Sequence, residues 1–448
     1  MFVKSRNLMK ILGIITEYNP FHNGHLYHLL KAKEITKADY VIAVMSGNFL
    51  QRGEPAIINK WARAKIALNA GVDLVIELPF VFSTQDANGF AFGAVKLLDS
   101  LQIIDYLCFG CETNNLNTLY SISNFLNDEP KKYKELILYY SKSGNEFPKS
   151  RSQALCEYHR IFGIEGLEKI SPLNLSKLLK YPNNILALEY IKHLLNLKSK
   201  IKPIAIKRMG ASYHQKNIKG NISSATSIRS EILNILTYSK NDLFALNDKI
   251  KSTIPSSGFQ ILEKELRESE GPITLESFYQ YILATLRRMS IEDISLIQGI
   301  TEGLENRLKK VSLTSFTVEQ LINSIKTRRY TRTKIQRIIL HLMMNLSKKD
   351  ITMFNECGPL YTRILGFSKK GKTLLRAIKK NSSTPLISKL SNYLKQANME
   401  ENSYLRNRLE KMLNYDILST DIYVLGNKKA EARVARLDFT HKIEIKKD

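Results

Sequence analysis

Four short apolar runs alternate with helix-like segments over the first 110 residues, and this alternation limits the folds that the chain can form. The runs with the length and composition of strands are Ile11–Thr16, Tyr40–Met45, Val72–Leu78 and Ile104–Phe109. The segments with helical spacing between them are His25–Ile35, Lys60–Ala70 and Asn88–Leu101. Regular strand–helix alternation predicts an α/β fold with a parallel sheet and right-handed crossovers, and the continuous apolar strands predict burial on both faces.

The next part of the chain is predicted to complete this α/β unit. Residues 113–180 have mainly helical spacing and form a predicted insertion. Lys202–Ile206 is a further strand candidate, followed by a loop and by a helix that begins near Ala225. We therefore expect a first domain over residues 1–245.

Residues 246–448 are predicted to form a second, mainly α-helical domain. Amphipathic segments such as Leu275–Arg288 and Thr333–Leu346 support this prediction, and the polar tail after Asp421 is expected to be partly strand.

The net charge of +25 is unevenly distributed along the chain. Residues 1–120 contain 11 Lys and Arg and 10 Asp and Glu, out of totals of 67 and 42, so almost all of the excess positive charge lies later. A near-neutral first part followed by a strongly basic part favours small-ligand chemistry first and nucleic-acid binding afterwards. The alternative is that the lysines only aid solubility.

Composition also limits the other classes of protein. The sequence has no apolar run near the 20 residues that span a bilayer, so no membrane partner is expected. The basic residues before Ile11–Ile15 lack a following cleavage site, which argues against a signal peptide and favours a cytoplasmic location. Cys108 and Cys111 form a single C-x-x-C without a second pair, so no metal site is predicted.

The segment Thr16–Leu30, "TEYNPFHNGHLYHLL", contains three of the eight histidines of the chain and an H-x-G-H motif. A helix beginning just after the first strand would present free N–H groups and a positive dipole end to phosphate. In that geometry Gly24 allows close approach of the backbone, and His22 and His25 donate to phosphate oxygens. The alternative is structural: one histidine caps the helix and the other packs against Tyr18.

A second anion-binding element is predicted at Ile222–Leu233, "ISSATSIRSEIL". Ser223, Ser224 and Thr226 lie at a probable helix start, and Arg229 follows one turn later. Hydroxyl groups before a helix are often only an N-cap, but together with H-x-G-H they fit the far wall of one triphosphate site.

These motifs resemble the nucleotidylyltransferase superfamily, and several longer strings resemble the bacterial tRNA(Met) cytidine acetate ligases. The strings are "GIITEYNPFHNGHLYHL", "VMSGNFLQRGEPAIINKWARAKIAL", "GVDLVIELPF", "FGCE", "PNNILALEY", "RMGASYH" and "RRYTRTKIQRIIL". The resemblance begins at about Met9, which could be the true initiator. It implies a Rossmann-like catalytic domain in which acetate attacks ATP to give acetyl-adenylate. The acetyl group would then pass to the wobble cytidine of elongator tRNA(Met).

The resemblance also implies the roles of individual residues. The catalytic residues would be His22, His25, Thr226 and Arg229. The residues that would bind ATP are Ile15, Thr16, Glu17, Tyr18, Asn19, Pro20, Phe21, His22, Asn23, Gly24, His25, His28, Gly110, Asn183, Arg208 and Ser224. Cys111 and Ala187 depart from the family pattern without removing a charged or donor group. Lys60 and Arg63 are further candidates for positive charge, although the alternative is that they lie on a solvated helix face. Mg²⁺ would arrive with ATP.

A basic segment, Ile325–Leu340, is the candidate for contact with tRNA. Its predicted RNA-binding residues are Arg328, Arg329, Tyr330, Arg332, Lys334 and Arg337. The cations suit the RNA backbone and the tyrosine could stack on a base. The alternative is a solvated helix face. No DNA partner is expected.

The stretch Gly366–Thr373, "GFSKKGKT", matches the P-loop pattern at every position. We interpret it as a polar turn that opens a helix near Thr373, because it lies in the helical basic region, no strand ending in Asp follows it, and a Lys-rich chain reaches the pattern easily. Lys369, Lys370 and Lys372 remain candidates for contact with tRNA phosphates.

Two other functions remain open from the sequence. A small-molecule adenylyltransferase would share the H-x-G-H site but would not need the long basic part. A non-catalytic RNA-binding protein would not need intact His22, His25, Thr226 and Arg229.

Overall fold

The computed structural model describes residues 9–113, 115–208, 220–238, 248–301, 303–397 and 403–446. The prediction about Met9 as initiator concerns residues 1–8, which lie outside the described residues, as does most of the string that begins at Arg208.

Among the described residues, eight strands form one sheet. The strands are β1 (Ile11–Thr16), β2 (Tyr40–Ser46), β3 (Leu74–Leu78), β4 (Tyr106–Cys111), β5 (Lys202–Lys207), β6 (Thr362–Ser368), β7 (Leu386–Ile387) and β8 (Glu444–Lys446). The order is β5-β4-β1-β2-β3-β6-β7, and β8 also pairs with β6. The pairs among β1 to β5 are all parallel, which confirms the predicted α/β sheet.

The later strands extend this sheet rather than forming one of their own. β6 pairs antiparallel with β3, and both β7 and β8 pair parallel with β6. The parts of the chain on both sides of the proposed boundary at residue 245 therefore share one sheet, because the predominantly helical C-terminal part contributes three of its strands. The sequence pattern missed β6 and β7, while strand in the tail is present as β8.

Helices cover both faces of the sheet and form the insertion. Those up to the insertion are α1 (Asn23–Thr36), α2 (Lys60–Asn69), α3 (Phe80–Ser83) and α4 (Ala87–Ser100). The insertion and its exit contain α5 (Leu116–Asp128), α6 (Lys131–Lys142), α7 (Phe147–Phe162), α8 (Pro172–Leu178) and α9 (Pro182–Asn196). The helical insertion predicted at about 113–180 is therefore present.

The remaining helices follow β5 and alternate with the last strands. They are α10 (Ala225–Tyr238), α11 (Asp248–Lys251), α12 (Ser256–Glu268), α13 (Tyr279–Arg288), α14 (Ile291–Leu296), α15 (Leu304–Ser312), α16 (Val318–Ile325), α17 (Arg332–Met343), α18 (Lys348–Cys357), α19 (Lys372–Asn381), α20 (Leu390–Ala397), α21 (Ser403–Val424) and α22 (Leu437–Thr440). Short 3₁₀ turns occur at Leu275–Phe278 and Ala430–Ala432.

The two faces of β1 illustrate how the sheet is buried. Leu12 and Ile14 point into one apolar cluster, and Ile11 points into the other. Gly13 lies against α4, where an added Cβ would come within 3.1 Å of Leu98. The helix and sheet therefore pack closely, and the carboxyl ends of the strands are left to form the site.

A buried charge cluster ties the C-terminal part to the sheet. Lys60 Nζ lies 2.8 Å from Glu77 Oε1 and 2.8 Å from Asp438 Oδ1. Arg363 contacts the same two carboxylates, at 2.5 Å from Asp438 and 3.4 Å from Glu77. Removing one partner from such a buried set leaves an uncompensated charge, at a cost of about 3–5 kcal/mol.

Within the described ranges, no helix is both long enough and apolar enough to cross a lipid bilayer.

Candidate active site

A cavity of about 820 Å³ opens at the carboxyl ends of β1, β4 and β5, where ligands bind in open α/β sheets. Most of the residues predicted to bind ATP line it. They are Ile15, Thr16, Glu17, Tyr18, Asn19, His22, Gly24, His25, His28, Gly110, Asn183, Arg208 and Ser224. Thr226 and Arg229, which were predicted to be catalytic with His22 and His25, also line this cavity.

His22 and His25 cap the start of helix α1 through their ring nitrogens, each of which accepts a hydrogen bond from a backbone N–H. The Gly24 N–H donates to His22 Nδ1 at 3.0 Å, and the His22 N–H donates to His25 Nδ1 at 3.2 Å. The two rings stack with their centroids 3.8 Å apart, and His25 packs edge-on against Tyr18 at 5.0 Å. The structural and the functional interpretations of these histidines are therefore compatible.

The capping bonds fix the protonation of both rings. Because each Nδ1 accepts a hydrogen bond from the backbone, the ring proton lies on Nε2, which is left as the donor for a ligand. Burial lowers the pKa of His22 to about 3 and also lowers the pKa of His25, and the Arg208 guanidinium adds to both shifts. The pair thus acts as two neutral N–H donors.

The backbone N–H groups of α1 are not free, which corrects the prediction from the sequence. The Asn23 N–H donates to Thr253 O at 2.8 Å, and the His25 N–H donates to His22 O at 2.8 Å. An added Cβ at Gly24 would lie 2.8 Å from His22 Cε1, so the glycine accommodates the imidazole itself. Side-chain nitrogens therefore replace backbone N–H groups as the donors here.

Three residues of the predicted ATP segment point away from the cavity. Phe21 is fully buried in the apolar cluster with Tyr18, and Pro20 follows Asn19 in a buried cis peptide. The Asn23 side chain donates to Asn221 O and Ser252 O, both at 2.9 Å. Pro20, Phe21 and Asn23 are therefore not among the residues that line the cavity, and their side chains hold the loop in place; their contact with ATP stays a prediction.

The predicted second wall lies at the start of α10. Ser224 caps the helix by accepting from the Ser227 N–H at 3.1 Å, and the exposed Thr226 lies in the first turn. Arg229 donates to Asn19 O at 2.8 Å and lies 3.4 Å from Glu54, which links this wall to the H-x-G-H loop. The hydroxyls and the guanidinium thus lie beside the histidines.

The third wall joins β4 to α9. Asn183 Nδ2 donates to Glu112 Oε1 at 2.7 Å, and the Asn184 N–H donates to Glu112 Oε2 at 3.1 Å. Arg208 lies over Gly110, where an added Cβ would meet its side chain at 3.4 Å. These contacts place Gly110, Asn183 and Arg208 at one edge of the cavity.

Comparison with known proteins shows which family this chain belongs to. The chain matches the family model described as HIGH Nucleotidyl Transferase over residues 9–437. The tRNA(Met) cytidine acetate ligase of Acetivibrio thermocellus is 43% identical over 98% of this chain and 100% of its own. The enzyme of that name from Thermoanaerobacter sp. (strain X514) is 44% identical over 97% and 99%. The chain belongs to the tRNA(Met) cytidine acetate ligase family.

Solved structures of this family have the same fold. The crystal structure of Thermotoga maritima TmcAL bound with alpha-thio ATP covers 98% of this chain and 99% of its own, with a TM-score of 0.87 and 35% identity. The apo form of that protein has a TM-score of 0.89 and 36% identity over the same shares.

The loop after β2 contributes residues that the sequence analysis did not select as site residues. Glu17 accepts from the Gln51 N–H at 2.8 Å; burial raises the pKa of this carboxyl, and Arg52 and Arg229 oppose the shift. Burial lowers the pKa of Arg52, which faces Glu17 and Glu54. The string "SGNFLQRGEP" is part of the family resemblance, so it could have pointed to this loop. Its residues show no periodicity and no helix cap that would mark them as cavity residues.

Lys60 and Arg63 do not reach the cavity, although the sequence left contact with substrate open. Both side chains are fully buried, whereas a solvated helix was the expected alternative. Arg63 donates to Glu17 O at 2.6 Å, to Ser46 O at 3.1 Å and to Gly47 O. It therefore holds together the carboxyl ends of β1 and β2, which positions the H-x-G-H loop in this family member.

The basic segment divides between the cavity and other surfaces. Arg329, Lys334 and Arg337 line the cavity, and Arg337 donates to Gln51 O at 3.3 Å. Arg328 is exposed, and Arg332 forms a two-point contact with Glu319. α17 thus places cations beside the predicted ATP residues.

Tyr330 is not placed to stack on a base, which corrects its predicted role. The residue is only 8% exposed, its hydroxyl donates to Thr301 O at 2.5 Å, and Lys334 Nζ lies 4.5 Å from its ring. Because the ring packs in the apolar core, it stabilises the turn before α17 rather than presenting a free face.

The P-loop-like stretch is a tight turn, but not for the reason expected from its sequence. It does follow a strand, since Gly366 lies within β6 and α19 begins at Lys372. The Gly371 N–H donates to Ser368 Oγ at 3.0 Å, and an added Cβ there would lie 1.9 Å from Asp73 O. Three residues separate the strand from the helix, and the N–H groups of Gly371, Lys372 and Thr373 are bonded within the turn, which leaves no phosphate cradle at the helix start.

No group of three or more His, Cys, Asp and Glu side chains placed to hold a metal ion occurs among the residues that the structure describes.

Proposed function

We propose that this protein is an ATP-dependent ligase that activates acetate and transfers the acetyl group to N4 of the wobble cytidine of elongator tRNA(Met). The observation that carries this proposal is the pair of neutral imidazoles, His22 and His25, which line the cavity and whose Nδ1 atoms both accept a backbone hydrogen bond, so that Nε2–H is the remaining donor. Membership of the family and the ATP analogue bound by the Thermotoga protein support the same function.

In the first step a carboxylate oxygen of acetate attacks the α-phosphorus of ATP and pyrophosphate leaves. His22 and His25 donate to the phosphate oxygens on which charge develops, and neutral donors fixed in advance need no reorganisation. Arg208 and Arg229 offset the repulsion between acetate and the triphosphate. Thr226 and Ser224, with the first turn of α10, hold the leaving phosphates.

Mg²⁺ is proposed to arrive bound to the phosphates of ATP, as is usual where substrate oxygens supply part of its coordination shell. We assign it no protein ligand.

In the second step the exocyclic amine of the cytidine attacks the acetyl carbon and AMP leaves. The cytidine must be unstacked to reach the mixed anhydride, which is inexpensive in a single-stranded anticodon loop. The exposed Arg328 and the cavity-lining Arg329, Lys334 and Arg337 are proposed to bind the RNA backbone near the cavity. The proposed place of action is the cytoplasm.

The test is incubation of the protein with ATP, labelled acetate and elongator tRNA(Met), followed by digestion to nucleosides. We expect labelled N4-acetylcytidine, which should be absent when ATP is omitted or when the wobble cytidine is replaced by uridine. Intact tRNA without any acetylated nucleoside would overturn the proposal. Pyrophosphate release that requires a different small molecule instead of acetate would favour the adenylyltransferase alternative.

A further inference from the structure

The cavity extends beyond the residues that ATP requires. One end is formed by the H-x-G-H loop and α10, as described above. The other end is lined by Phe147, Arg151 and Leu155 of α7, by α9, by the start of α4 and by α17. We propose that this second end, which we call the base subsite, receives the unstacked nucleobase of the RNA substrate, with Phe147 as its stacking platform. The inference rests on the proposed function.

The walls of the base subsite form one connected structure. His341 of α17 lies 3.2 Å from Thr84 O, just before α4. His193 Nε2 of α9 lies 3.1 Å from Asn88 O at the start of α4. Arg151 of α7 then pairs with Glu189 of α9 at 2.5 Å. Because each helix is tied to the next by a polar contact, the subsite is a defined space rather than a gap between loosely packed units.

The chemistry of these walls suits a flat, neutral, polar group. Leu155, Leu179 and Leu186 supply apolar surface, while the Arg151–Glu189 pair supplies a donor and an acceptor at the edge. A pyrimidine base has the same combination of an apolar face and a hydrogen-bonding edge. Its phosphates would meet the cations on the opposite side of the opening, Arg329 and Lys334.

Phe147 is the aromatic side chain placed at the opening for stacking. It begins α7, it lines the cavity, and its side chain is 60% exposed. Phe147 therefore has one part of its ring on the cavity and another part in solvent, and covering an aromatic ring removes a large apolar area from water. Aromatic rings at such positions stack on single-stranded bases in RNA-binding proteins.

The experiment compares Phe147→Ala with Phe162→Ala. Phe162 ends the same helix and has a similar exposure, 55%, but it does not line the cavity, so it is a matched control. We expect Phe147→Ala to lower kcat/KM for tRNA about 5- to 100-fold in formation of N4-acetylcytidine, the range that loss of one base stack gives. ATP–pyrophosphate exchange with acetate and without tRNA should stay unchanged. Phe147→Trp should restore kcat/KM for tRNA.

The outcomes separate this inference from the proposed function. If the wild-type protein forms N4-acetylcytidine and Phe147→Ala matches Phe162→Ala, the base subsite is overturned and the ligase function stands. An equal loss of pyrophosphate exchange in Phe147→Ala would also overturn it, because a stacking platform for RNA takes no part in activation of acetate. If the wild-type protein forms no acetylated nucleoside, the proposed function fails first.

Discussion

Two strand-to-helix turns in this molecule have sequences typical of phosphate binding, and their structures differ. The turn from β1 to α1 contains H-x-G-H, and the turn from β6 to α19 contains the full P-loop pattern. In both, backbone N–H groups near the helix start are already bonded within the protein. The first turn is capped by imidazoles that retain a second nitrogen for a ligand, whereas the second is closed by a serine hydroxyl and by Asp73.

The comparison shows that a helix start binds anions only if donors remain after it is capped. A histidine that caps through Nδ1 keeps Nε2–H as a donor, so capping and ligand binding use different atoms. Ser368 accepts from the Gly371 N–H and donates its own O–H to Asp73 Oδ1 at 3.0 Å, so this hydroxyl has no donor left for a ligand. Lys370 is likewise occupied, since it donates to Asp39 O and lies 4.7 Å from the Tyr40 ring.

The largest effect should come from removing one of the two donors. We expect His25→Ala to lower the rate of ATP–pyrophosphate exchange about 10²- to 10³-fold, as loss of one donor to a developing charge does. His25→Gln, which keeps an N–H near the position of Nε2, should recover part of the rate. His25→Ala also loses the capping bond from the His22 N–H, worth about 1 kcal/mol, whereas a glutamine at this position can accept it, so thermal unfolding of both variants should be measured alongside. Full activity in His25→Ala would contradict the assigned role.

A smaller effect is expected at the second wall of the cavity, which the start of α10 forms. Arg229→Ala removes a charged donor to the triphosphate and should raise the KM for ATP about 10- to 100-fold. The matched control is Arg160→Ala, because Arg160 forms an exposed ion pair with Glu157 outside the cavity. Equal KM values for the two variants would show that the H-x-G-H turn holds ATP without α10.

Binding of tRNA phosphates should respond separately from binding of ATP. Replacing Arg328 and Arg329 together by alanine should weaken tRNA binding several-fold and reduce its dependence on salt, because two phosphate contacts are lost. Replacing the exposed Lys348 and Lys349 removes the same charge elsewhere and serves as the control. Loss of pyrophosphate release in the absence of tRNA would argue against separate roles.

The smallest effect should be found at the P-loop-like turn. Lys372→Ala is expected to leave the affinity for ATP unchanged, because the turn has no room for phosphate and lies outside the cavity. Isothermal titration with ATP measures this directly. A large loss of affinity would break the comparison and restore a nucleotide site on α19.

Much of the structure around the H-x-G-H turn could be predicted from local sequence. β1 and β2 begin where the apolar runs begin, and α10 begins at Ala225, because strand burial and helix capping are encoded in neighbouring residues. The H-x-G-H motif located the cavity correctly. Its neighbours Pro20, Phe21 and Asn23 do not line the cavity, which the sequence could not show because it does not give the direction of each side chain.

Long-range contacts explain most of what was missed. β6 pairs with β3, which lies nearly 300 residues earlier in the sequence. The strand was missed because the segments around it have helical spacing and the local sequence does not show such a distant partner. Tyr330 was assigned to RNA because it lies among arginines, but its neighbours in space are core residues. Lys60 and Arg63 looked solvated for the same reason, because their partners Asp438 and Ser46 are distant in sequence.

The buried charge cluster has a consequence for biosynthesis. Lys60 and Glu77 leave the ribosome about 360 residues before Asp438, which at 5–20 residues per second is a delay of roughly 20 to 70 s. Over that interval β3 lacks its neighbour β6, and later β6 still lacks β8. The sheet is therefore completed only after Lys446 has been synthesised, and until then the edges of the earlier strands lack their partners.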